Sequence, residues 1–79
     1  MNRQHRETLN TLPVGSTAKV KALHAAGDFR RRLLDLGLVE GTPVECVQKS
    51  PSGDPVAFWI RGAVIALRNE DSSKVEIEC

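Results

Sequence analysis

The chain has no tyrosine, one tryptophan, two phenylalanines and two cysteines among its 79 residues. So few aromatics leave little of the interleaved stacking surface that single-stranded nucleic acids use. Cys46 and Cys79 form no CxxC pair, so their spacing implies neither a disulfide framework nor a four-ligand zinc site. Cysteine used this sparingly fits a reducing, cytoplasmic setting. Charge of either sign is not in excess: 11 Lys and Arg against 10 Asp and Glu leave +1, whereas a nucleic-acid domain usually carries a strongly basic face. No segment approaches the roughly 20 apolar residues that cross a bilayer, and MNRQHRETLN lacks the apolar core of a signal peptide. Any membrane role is therefore expected to come through a partner. A chain this short holds one domain, burying only about 60% of its unfolded surface, so its stability should be modest.

What is present is strand-forming sequence cut by turns. Residues 1–9 are polar and aperiodic and read as a flexible leader, with a single domain over 10–79. Leu12-Pro13-Val14-Gly15-Ser16 is an entry turn. From Thr17 to Leu23, Ala18, Val20 and Ala22 alternate with Lys19 and Lys21, the period of a strand with one wet face. A helix is predicted next, capped by Asp28, with Phe29, Leu33 and Leu36 on its apolar stripe, Leu34 widening it and Gly37 stopping it. Pro43 opens a second strand in which Val44 and Cys46 share a face. Ser50 to Pro55 is dense in turn formers, and Val56, Phe58 and Ile60 alternate with Ala57 and Trp59 beyond it. Arg61-Gly62 connects tightly to Ala63–Leu67, so these two strands should pair antiparallel. Asn69–Ser73 has room for one helical turn before Val75 and Ile77 mark a last strand. About five strands and one short helix predict a mainly β fold, a sheet curled into a small barrel.

The segment RRRLLDLGLVEGTPVE concentrates Arg30, Arg31 and Arg32 in the first turn of the predicted helix. Cations there oppose the helix macrodipole, at a cost of roughly 0.3 kcal/mol or more each, so intrinsic helix stability does not explain them. Arg31 and Asp35 are spaced for a pair one turn apart. The cluster is a solvated face whose stems cover the barrel mouth, a docking patch for an acidic surface or, against the lack of a wide basic stripe, a nucleic-acid contact. Gly37 and Gly41 lack the Lys-Ser/Thr ending of a phosphate loop and read as helix stop and turn. His24, Asp28 and Cys46 are not brought together by spacing, so no resident metal or other cofactor is expected, with Fe²⁺ or adventitious Zn²⁺ as a minor alternative. No nucleophile, base and orienting group form a recognisable set, which speaks against an enzyme. Trp59 should point away from the core if Phe58 and Ile60 point inward, making it, with Arg61 nearby, a candidate anchor for a protein partner.

Taken in order, Leu12-Pro13-Val14-Gly15, Arg31-Arg32-Leu33-Leu34-Asp35-Leu36-Gly37-Leu38, Gly41-Thr42-Pro43-Val44, Gly53-Asp54-Pro55 and Arg61-Gly62 followed by Ala66-Leu67-Arg68 are similar to the blocks of the FeoA family. The resemblance covers about residues 10–79. It implies an SH3-like barrel with a helix inserted after the first strand. It also implies a small cytoplasmic accessory of ferrous iron uptake that binds the cytoplasmic part of FeoB, a membrane transporter with a cytoplasmic GTP-binding domain, modulating or assembling it. The membrane is then reached only through that partner, nucleic acid is not a partner, and weak self-association stays open. The alternatives are a metal-responsive regulatory domain, since the same domain type ends iron-dependent repressors of the DtxR kind, or a small nucleic-acid-binding barrel. Ser52 and Ser73 depart from the apolar residue and the alanine that the family often has at these positions.

Overall fold

The computed structural model describes residues 7–78, so Met1 to Arg6 of the expected leader and Cys79 lie outside the described residues. A 3-10 turn, Leu9–Thr11, is followed by β1 (Thr17–Leu23), α1 (Gly27–Asp35), β2 (Pro43–Lys49), β3 (Val56–Ile60), β4 (Ala63–Leu67), α2 (Asn69–Ser72) and β5 (Val75–Glu78). The strands form one antiparallel sheet in the order β4-β3-β2-β1-β5. Alternation explains the strand faces: Ala18, Val20, Val44, Cys46, Val56, Phe58, Ile60, Val75 and Ile77 all turn inward and join Leu33 of α1 in one buried cluster. The sheet therefore curls round a single core. A register shift between Cys46 and Gln48 in the β2–β3 pair, and another between Val20 and Ala22 in the β1–β5 pair, supply local bends.

The residues expected to end the leader are packed instead. Leu9 is fully buried, Thr8 bridges Glu76, and the Ile77 N–H donates to the Glu7 carbonyl, so 7–9 belong to the domain. One leucine inside an otherwise polar stretch was too weak a periodic signal to extend the core. The helix also starts before Asp28: the Arg30 N–H reaches the Ala26 carbonyl at 3.4 Å, and no side chain caps the end. Asp28 instead lies in the first turn, where its charge suits the positive end of the helix. Leu34 does not widen the buried stripe, since only Leu33 of α1 is fully buried and Leu34 is exposed. A nine-residue helix on a curled sheet touches it along a narrow line, which Leu33 fills, with Phe29 and Leu36 packed partly beside it.

The ends of the helix and the loops are tied by polar contacts. Gly37, at φ +103°, takes the left-handed conformation that ends α1, and its N–H donates to the Leu34 carbonyl. The Asn69 N–H donates to the Asp54 Oδ1 at 3.0 Å and its Nδ2 to the Gly53 carbonyl at 3.2 Å, latching the β2–β3 loop to the start of α2.

Candidate docking surfaces

The three helix arginines face three different tasks. Arg30 donates through Nη1 to the Leu23 carbonyl at 3.3 Å, closing the loop from β1 into α1. Arg32 lies over the Phe29 ring, 5.7 Å from its centroid, and its Nη2 stands 3.9 Å from Asp71 Oδ2 on α2. An exposed pair at that distance contributes little, so its effect is to aim the side chain. Among the described residues Arg31 makes no ion pair or hydrogen bond, and the pair expected with Asp35 is not formed. Arg30 and Arg31 share a shallow depression with Gly27, Leu34 and Asp35.

Trp59 and Arg61 are elsewhere. Trp59 is 46% exposed on the outer face of β3, opposite Glu45 on β2 and Val64 on β4, and Val64 is itself 59% exposed. Ala57 and Ala66 form the next pair outward along the same two strands. Together they make an apolar strip with no charged side chain on β3 or β4. Beside it a cleft of about 290 Å³ is walled by Trp59, Pro43, Glu45, Thr17 and Arg61. Arg61 is held at φ +50° in the β3–β4 turn, and its stem crosses Gly37, where a Cβ would stand 2.6 Å from the Arg61 Cδ. Gly37 thus serves both the helix stop and the close approach of this side chain. Val64 was missed from the sequence, although a two-residue turn at Arg61-Gly62 fixes Trp59 opposite Val64 by counting outward.

The residues considered for metal or redox chemistry stay apart. His24 Nε2, just past the end of β1, lies 2.6 Å from Glu76 Oε1 on β5, with Lys21 Nζ of β1 3.7 Å from the other Glu76 oxygen. Cys46 is buried in the core, and loss of solvent pushes its thiol pKa up, with Lys49 opposing. Among the described residues no three His, Cys, Asp or Glu side chains gather as a metal set, and no helix is long and apolar enough to cross a membrane.

A five-stranded antiparallel sheet curled round one core, with a helix inserted after the first strand and an apolar strip outside, defines a small SH3-like barrel domain. Residues 7–79 match the FeoA domain, and the chain belongs to the FeoA family. It is 37% identical over 70 residues to an Fe(2+) transport protein A/Fe(2+) transporter FeoB fusion protein of Porphyromonas gingivalis, covering 89% of this chain but only 8% of that protein. Iron(II) transport protein A of Clostridium thermocellum superposes with a TM-score of 0.88 at 33% identity, over 91% of this chain and 44% of that one. The zinc complex of FeoA from Stenotrophomonas maltophilia, described as a prokaryotic SH3 domain protein, gives 0.81 at 33% identity, over 91% and 89%.

Proposed function

We propose that this chain is a non-enzymatic docking module of ferrous iron uptake. It works in the cytoplasm, binding the cytoplasmic part of a FeoB-type transporter and modulating or assembling it. The observation that carries this reading is the fused relative, in which a segment like this chain and a FeoB transporter share one polypeptide. Fusion replaces a bimolecular encounter by a tethered one, an arrangement that favours parts which act in contact. The surface agrees in kind: an exposed tryptophan beside an exposed valine and an arginine is the composition of a protein interface. Trp59 and Arg61 form the principal contact, and Arg31, flanked by Arg30 and Arg32, forms a separate cationic contact on the helix.

Calorimetric titration of the chain into the isolated GTP-binding domain of the transporter from the same organism tests the reading. Saturable binding of defined stoichiometry supports it. Absence of binding to that domain and to the full transporter in detergent contradicts it.

A further inference from the structure

The β4 strand ends the sheet, and among the described residues it bonds to β3 alone. Arg61 at φ +50° and Gly62 at φ +88° make a two-residue turn of the type that closes hairpins, with Ile60 paired to Ala63 across it. Antiparallel pairing alternates from that point, so Ala63, Ile65 and Leu67 exchange backbone bonds with β3. Val64 and Ala66 then point their N–H and C=O groups away from the sheet. An unpaired strand of this kind is a template for another strand, and proteins usually blunt it with a lysine, a proline or an inward charge. Ala63-Val64-Ile65-Ala66-Leu67 has none of these.

What brackets the strand decides its occupant. Arg61 precedes it and Arg68 follows it, both exposed, and β3 and β4 carry no carboxylate between them. A second copy pairing antiparallel about Ile65 would set Arg68 of each copy against the Arg61-Gly62 turn of the other, placing like charges together at both ends. Self-pairing is thus disfavoured by the same residues that would welcome an acid-flanked strand.

We propose that the free edge of β4 receives an extended segment of the partner protein as a sixth strand, with apolar side chains over Val64 towards Trp59 and carboxylates at both ends, one on Arg68 and one beside the cationic Arg61-Gly62 turn. From Ala63 to Arg68 the chain runs five residues (68 − 63), about 17 Å of extended chain, with Arg61 in the turn beyond its start. Backbone bonds to Val64 and Ala66 provide the pairing, and the two cations set the register. This deepens the docking reading and rests on it only for the identity of the partner.

The test uses the full chain and two synthetic peptides of alternating valine and threonine. One has glutamates placed to meet Arg68 and the Arg61-Gly62 turn, and the other has lysines at the same places. In amide-resolved NMR the glutamate peptide should shift Val64 and Ala66, slow their hydrogen exchange, and bind at least about fivefold tighter than the lysine peptide at low salt. Ala66→Pro, which removes only an outward N–H, should abolish the protection while the core resonances persist. Should that variant not fold, Arg68→Glu should abolish the preference between peptides, since one cation and one carboxylate then flank the strand.

Equal binding of the two peptides, or shifts away from β4, overturns the proposal. So does protection of Val64 and Ala66 that grows with protein concentration and no peptide, which would mean self-pairing. Repeating the exchange measurement with the transporter's GTP-binding domain separates the two claims. Peptide capture without binding of that domain sinks the transporter reading and keeps the edge. A bound domain with Val64 and Ala66 unprotected does the reverse.

Discussion

Trp59 owes its exposure to a parity argument: Phe58 and Ile60 are buried, so the residue between them faces out. Trp59→Ala should leave the melting temperature within a few degrees of the parent, while binding to the transporter domain weakens about tenfold or more. A large loss of stability with unchanged binding in the folded fraction would contradict this. Gly37→Ala should behave in the opposite way. A side chain at φ +103° is strained, and its Cβ would meet the Arg61 stem at 2.6 Å. The cost of about 1–3 kcal/mol lowers Tm by roughly 5–20 °C in so small a domain, measurable by calorimetry. Cys46 tests burial through pH. Desolvation raises its thiol pKa in the folded chain, so the unfolded chain loses that proton first. The stabilisation is whole below the ordinary thiol pKa and drains away as pH rises through it towards the folded value. Urea unfolding free energy should therefore fall above about pH 8.5, and more shallowly in Cys46→Ala.

Strands were legible because alternation survives a chain this short, and β1, β3 and β4 coincide with the runs read from the sequence. Pro43 at the first residue of β2 and the turn formers between β2 and β3 placed the rest. The helix was less legible at its start, since Asp28 is a common cap residue but Gly27, at φ +64°, begins the helix ahead of it. The candidate site was legible in part. Trp59 follows from alternation, whereas the separate tasks of Arg30, Arg31 and Arg32 depend on where Leu23 and Asp71 lie, which no local pattern encodes. The latch between the β2–β3 loop and α2 was invisible for the same reason: Asp54 and Asn69 are 15 residues apart. Asp54→Ala should cost about 1–2 kcal/mol, as loss of a helix cap does, seen as a lower urea midpoint with unchanged slope.

The molecule as a whole separates what holds it together from what it offers. Every strand sends at least one side chain into one core, while the outer face of β3 and β4 is left apolar and uncharged. An exposed tryptophan on an apolar strip is a surface of the kind that marks interaction sites. The fused relative suggests what covers it. The most direct measurement is an NMR titration of the labelled chain with the GTP-binding domain of its organism's FeoB-type transporter, with and without nucleotide. Shifts gathered on Trp59, Arg61, Val64 and Ala66, with a second group at Arg31, are the result predicted here. Saturating concentrations that leave those amides unmoved, while the full transporter also fails to bind, would contradict the docking account.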